Sequence, residues 1–162
     1  MDGPDSGEMQ GGFDRHAPAV ARFALLLTRD HARANDVTRE ALQRAGHDPA
    51  VSEPDGPAAR AWLFTATRDI VAANRPNPTA MWPARARPEE INAAVDRLLL
   101  GDALAQLDAA DREVLLAAYY GGQTTAQTAA HLHMAEEAVK STLHDVLRSL
   151  APQLREMGIG PS

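Results

Sequence analysis

Thr124-Thr125-Ala126-Gln127-Thr128-Ala129-Ala130-His131-Leu132-His133-Met134-Ala135-Glu136-Glu137-Ala138-Val139-Lys140-Ser141-Thr142-Leu143-His144-Asp145-Val146-Leu147-Arg148-Ser149-Leu150 is the stretch on which the fold turns. It opens with Thr124-x-x-Gln127, the spacing of a capping box, in which a hydroxyl and an amide side chain satisfy backbone N–H groups at a helix start. That predicts a short helix to about Leu132. After a tight turn, a last helix is predicted to begin near Ala135. Val139, Leu143, Val146 and Leu150 recur there at i, i+4, i+7 and i+11, one apolar stripe. Two short helices joined by a brief turn, the second amphipathic, form a helix-turn-helix. Its second helix is buried on one face and can lie in the DNA major groove with the other. The outward positions are Glu136, Glu137, Lys140, Ser141, His144 and Arg148. Periodicity by itself fits a plain helical hairpin as well.

Upstream of this stretch, Gly121-Gly122 ends a helix. Asp108 is its N-cap, Asp111 favours the positive end of its dipole, and Val114, Leu115 and Ala118 supply its buried face. Another helix precedes it, near Glu89 to Gln106, with Ile91, Val95, Leu98 and Leu99 apolar. Arg75 to Pro88 then carries Pro76, Pro78, Pro83 and Pro88 around a lone Trp82. Proline blocks a continuous helix, so this reads as an extended linker. On its far side Phe13, Ala17, Val20, Ala24 and Leu27 fall on one helical face. A second helix runs from about His31 to Ala45, with Ala34, Val37, Ala41 and Ala45 on one side. Gly46 to Pro57 is a loop, and a third helix from about Ala58 to Asn74 carries Trp62, Leu63, Ala66 and Ile70. No strand-like alternation is sustained. The expected fold is all-α: two small helical domains joined by a Pro-rich linker. The boundaries are a disordered tail over 1–12, a first module over 13–75, the linker over 76–92, a second module over 93–155 and a tail over 156–162.

Composition narrows the function. The chain has 162 residues, 44% of them hydrophobic, which suffices for packed cores. It contains no cysteine, so disulfides and thiolate metal sites are excluded. Met1 to Gly12 is acidic and Gly-rich and lacks the apolar core of a signal peptide. No apolar run approaches the roughly 18 residues of a membrane span, so no membrane insertion is expected. His131 and His133 stand two apart and do not share a helix face; His16, His31, His47 and His144 are scattered. Gly-rich phosphate loops, nucleophile elbows and His-Glu-x-x-His patterns are missing. No catalytic residue, metal or cofactor is therefore expected, and the chain is not read as an enzyme.

Longer motifs sharpen the reading. Leu107-Asp108-x-x-Asp111-Arg112-Glu113-Val114-Leu115, Gly121-Gly122-Gln123-Thr124, Ala129-Ala130-His131-Leu132 and Val139-Lys140-Ser141-x-Leu143-His144 together resemble region four of extracytoplasmic-function sigma factors. Phe13-Asp14-Arg15-His16, Ala24-Leu25-Leu26-Leu27-Thr28-Arg29-Asp30, Ala34-Asn35-Asp36-Val37-Thr38-Arg39-Glu40 and Ala61-Trp62-Leu63-Phe64-Thr65-Ala66-Thr67-Arg68-Asp69 resemble region two. Their order and spacing match over about residues 13–155. The resemblance implies a cytoplasmic protein that binds core RNA polymerase and directs promoter recognition and transcription initiation. Region two would bind the β′ clamp helices and capture the melted −10 element; region four would dock on the β flap and read the −35 element. An anti-sigma factor is the implied regulator. Carried over by motif, Asp36, Arg39, Glu40 and Arg44 would contact core polymerase. Trp62, Arg68, Asn74 and Arg75 would serve the −10 element, with Trp62 also read as a core anchor. Lys140, Ser141, Thr142, His144 and Arg148 would serve the −35 element, Lys140 and Arg148 chiefly through phosphates.

The chain departs from the family pattern at telling places. Arg39 stands where glutamine is usual, Gly46 replaces an aromatic, and Glu137-Ala138 replaces a Gly-Thr pair. A basic residue is usual where Thr142 stands. From Ala93 onward five basic residues (97, 112, 140, 148, 155) face nine acidic ones (96, 102, 108, 111, 113, 136, 137, 145, 156). Phosphate neutralisation supplies most nonspecific DNA affinity, so this balance opposes it. The alternative reading is a degenerate sigma-like interaction module that binds an anti-sigma factor or polymerase without reading promoter DNA.

Overall fold

The computed structural model describes residues 12–48, 51, 53–73, 81–119 and 121–159. Among them every regular element is a helix: α1 (Ala17–Thr28), α2 (His31–His47), α3 (Pro57–Ala72), α4 (Pro88–Ala105), α5 (Ala109–Tyr119), α6 (Thr125–Leu132) and α7 (Glu136–Glu156). The chain divides into two compact units, Met1–Leu99 and Leu100–Ser162. Met1 to Gly11 of the expected tail, and part of the linker, lie outside the described residues.

In the first unit, Phe13 is buried, but it does not share one continuous helix with Val20 and Ala24. The His16 N–H donates to the Phe13 carbonyl at 2.9 Å, and α1 starts at Ala17 with Pro18 in its first turn. There the missing proline N–H costs nothing, whereas farther inside a longer helix it would break the ladder. Arg29, in the left-handed region at φ 54°, ends α1, and its N–H donates to the Leu25 carbonyl. Asp30 then caps α2, its Oδ1 accepting from the N–H groups of Ala32 (3.0 Å) and Arg33 (3.3 Å). The buried face of α2 is Ala34, Val37, Thr38, Ala41 and Ala45. Gly56-Pro57 opens α3 with proline in the first turn. Phe23 of α1 and Phe64 of α3 meet edge-to-face, centroids 5.4 Å apart, the geometry that suits the ring quadrupoles. Buried hydroxyls of Thr28, Thr38 and Thr67 donate to carbonyls four residues back, which keeps them satisfied without outside partners.

Residues 81–87 of the expected extended linker are not extended. The Ala86 N–H donates to the Pro83 carbonyl, closing a turn, and Trp82 is a core residue at 6% exposure. Its ring lies 6.1 Å from that of Phe23. The first two thirds of α4 also belong to this unit, with Ile91, Val95 and Leu99 buried. Arg60, 7% exposed, binds it: Nη1 donates to Asn92 Oδ1 at 3.1 Å and Nη2 to Asp96 Oδ1 at 2.6 Å. Asn92 Nδ2 returns a bond to the Pro57 carbonyl at 2.9 Å.

In the second unit Arg112 fastens the start of α5 to the end of α4. Its guanidinium donates to the carbonyls of Leu104 (3.1 Å), Ala105 (3.0 Å) and Leu107 (2.9 Å). Leu104 and Ala105 belong to the last turn of α4, where carbonyls lose their intrahelical donors, and Leu107 to the turn that follows. The two glycines after α5 are required for different reasons. A Cβ on Gly121 would stand 2.7 Å from the Ala117 carbonyl oxygen, and Gly122 adopts φ +61°. Val114, Ala129 and Val139 form one core cluster; Ala103, Leu115, Val146 and Leu150 form a second. Leu143 packs against both.

Candidate nucleic-acid interface

The turn between α6 and α7 is built locally. Thr124 Oγ1 accepts from the Gln127 N–H at 3.1 Å while Gln127 Oε1 accepts from the Thr124 N–H at 2.9 Å. Both halves of the capping box are thus formed. His133 ends α6 in the left-handed conformation, φ 56° and ψ 43°, and the N–H groups of His133 and Met134 both donate to the Ala129 carbonyl. Two residues later α7 begins. Thr125 Oγ1 donates to Glu136 Oε1 at 3.1 Å and ties the two helix starts across the turn.

Val139, Val146 and Leu150 turn inward from α7. Glu136, Glu137, Lys140, Ser141, His144 and Arg148 are all exposed, and they lie within one arc of the helix surface. Thr142 does not join them. It is half-buried on the opposite flank of the inward stripe. Leu147, 42% exposed, does share the outward arc and is an apolar member that charge-based reading overlooks.

The electrostatics of this face are muted. Lys140 Nζ lies 3.7 Å from Glu136 Oε1 and 3.9 Å from Glu137 Oε1. Of the four basic residues in 100–162, Arg112 and Arg155 donate to backbone carbonyls. Lys140 and Arg148 remain as the cations on the outward arc. Glu137, its side chain 91% exposed, projects from the first turn of α7.

In the first unit, Asp36, Arg39, Glu40 and Arg44 form a single stripe on α2 opposite its buried face. Glu40 and Arg44 pair at i, i+4, a surface contact of small energetic weight. Trp62 is half-buried on α3. Arg68 is held on two sides. Its Nε and Nη2 donate to Asp69 Oδ1 at 3.2 and 3.1 Å, and its guanidinium lies 4.7 Å from the centre of the Trp82 ring. Asn74 and Arg75 lie outside the described residues. His16 is buried near Arg60. Burial first, then the charges of Arg60 and Arg15, hold its pKa below the ordinary histidine value, against a hydrogen bond to the Pro54 carbonyl and the charge of Asp55. Its Nε2 has no partner among the described residues.

A capped short helix, a tight turn and a long amphipathic helix with polar residues along its outer arc define a DNA-binding helix-turn-helix. The family described as sigma-70, region 4 matches residues 97–156. The chain is also similar to the ECF RNA polymerase sigma factor SigL of Mycobacterium tuberculosis, in strains ATCC 25618 / H37Rv and CDC 1551 / Oshkosh. Identity to each is 42% over 161 residues, covering 93% of this chain and 91% of the relative. Among solved structures it is similar to a chain of the RsbN-BldN complex, at 22% identity and a TM-score of 0.35, covering 92% of this chain and 99% of that one. The chain belongs to the ECF RNA polymerase sigma factors.

Proposed function

We propose that this sigma factor meets core polymerase through the α2 stripe of Asp36, Arg39, Glu40 and Arg44, and the −35 element through the outer arc of α7. The observation that carries this reading is the capped α6–turn–α7 unit, which gathers Lys140, Ser141, His144 and Arg148 on one exposed surface. Lys140 and Arg148 suit phosphates, which set position; Ser141 and His144 suit base edges, which set sequence. On α2, alternating charges in one stripe suit a partner surface whose register and on-rate are set by ion pairs. The β′ clamp helices are the partner proposed for it. The β flap is proposed to dock on the second unit, where an open groove between α5 and α6 presents Leu116 and Leu132 beside Glu113 and His131. Trp62, Arg68, Asn74 and Arg75 are assigned to the melted −10 strand, by stacking and by cation contact. An anti-sigma factor covering these surfaces, and action in the cytoplasm, complete the proposal.

The acidic start of α7 fits a protein that does not bind DNA alone. Once polymerase holds the first unit, tethering raises the effective concentration of the second at the promoter. The test is in vitro transcription with core enzyme and a pool of genomic promoters. Discrete start sites that depend on the chain, and that weaken with Lys140→Ala or Ser141→Ala, are the expected result. Core polymerase that gains no specific start sites would overturn it.

A further inference from the structure

The segment 81–99 is fastened along α3 at two points. Near the C-terminal end of α3, Trp82 is buried, its ring in contact with the Arg68 guanidinium and 6.1 Å from the Phe23 ring. Near the N-terminal end, Arg60 holds Asn92 and Asp96, and Asn92 holds the Pro57 carbonyl. Residues 60 and 68 stand about 12 Å apart along a helix. Between Trp82 and Asn92 the chain therefore passes from the C-terminal half of α3 to its N-terminal end, as a strap pinned at both places. The turn closed by Pro83 and Ala86 begins its return.

This strap engages a residue that the proposed function needs elsewhere. Arg68 is assigned to the melted −10 strand, yet one face of its guanidinium is covered by an indole and its edge is hydrogen-bonded to Asp69. A guanidinium stacked on an aromatic ring offers that face to no base. We propose that segment 81–99 is an autoinhibitory strap: Trp82 occupies one stacking face of Arg68, and an unstacked nucleobase of single-stranded DNA displaces it. The Arg60–Asp96 clasp sets how easily the strap lifts. Asp96 is the weaker half of that clasp, because its carboxylate is one-third exposed while Arg60 is buried. Water can take over the carboxylate when the contact opens. The inference rests on the −10 assignment of Arg68 made above.

Hydrogen exchange of the full chain tests it, in three states: free, bound to core polymerase, and bound to core polymerase with degenerate single-stranded oligonucleotides. Amides of 91–99 are expected to exchange slowly in the free chain and roughly tenfold faster once strand is bound, as a contact weakened tenfold requires. A complex that binds strand while 91–99 keeps its free-chain protection removes the strap and leaves the function intact. A complex that binds no strand removes the −10 assignment and the strap with it. The variant Asp96→Ala supplies a second readout. It is expected to raise strand affinity of the polymerase complex about tenfold, and Arg68→Gln in the same chain is expected to cancel that gain. If Asp96→Ala lowers stability and strand affinity together, the clasp is purely architectural and the proposal fails.

Discussion

Replacing Arg60 by leucine should cost the first unit about 3 kcal/mol of stability. The side chain is 7% exposed and makes charge-assisted bonds to Asp96 and Asn92, together about 1.5–3 kcal/mol. The lower half of that range applies, because Asp96 is partly solvated and regains water when its partner leaves. The guanidinium also lies 4.7 Å from the centre of the Phe64 ring, which adds about 0.5–1 kcal/mol. Leucine restores only part of the aliphatic packing of the arginine stem, leaving roughly another 0.5–1 kcal/mol. The assay exploits where the fluorophores fall: both tryptophans, Trp62 and Trp82, lie within 1–99. Urea unfolding followed by tryptophan emission therefore reports the first unit. The Trp-monitored midpoint should fall sharply, and a double-mutant cycle with Asp96→Ala should return a coupling above about 1 kcal/mol. A loss below about 1 kcal/mol, or a coupling near zero, would refute the claim that the ion pair rather than packing holds α4 here.

Three further outcomes follow from other sites. Thr128 is fully buried and its hydroxyl has no partner among the described residues, so Thr128→Val should stabilise the second unit by about 1 kcal/mol in thermal unfolding; a loss would mean the hydroxyl is satisfied. His16, its pKa held low in the folded chain, binds a proton more readily when unfolded, so its contribution to stability is present above the ordinary histidine value near 6.5 and declines as pH falls through it. His16→Gln should flatten the fall in the tryptophan-monitored midpoint between pH 7 and pH 5, and an unchanged slope would exclude His16 as its source. Glu137→Lys replaces an exposed carboxylate beside Lys140; binding to random duplex should strengthen, and the slope of log affinity against log salt should steepen by about 1. Fluorescence anisotropy would reveal an unchanged slope if this face never nears phosphate.

What could be read from the residues beforehand was what neighbours in the chain decide. The capping box at Thr124 and Gln127 needs three residues of spacing, and it formed as written. The inward alanines and valine of α2 follow from period 3.6, and all of Ala34, Val37, Ala41 and Ala45 are buried. The contacts that escaped are those between residues far apart. Arg60 meets Asn92 and Asp96 more than thirty positions away, and nothing local marks it as different from an exposed arginine. Trp82 sat among prolines, which announce irregular backbone correctly but say nothing of burial. Arg112 is closer to legible: an arginine at the start of one helix, just after the end of another, has helix-end carbonyls within reach. Thr142 adjoins Ser141 in the sequence, but the helical turn carries it away from the outward arc.

The paired glycines after α5 bear on which alleles of this gene can survive. At Gly121 even alanine collides with the Ala117 carbonyl, so every missense change there is a steric fault. At Gly122 nothing crowds the site and only the backbone angle discriminates, so asparagine or aspartate should pass where valine fails. A selection for inactive variants should thus collect substitutions of all kinds at one glycine and a filtered set at the next. Adjacent identical letters would carry two distinct spectra of tolerance.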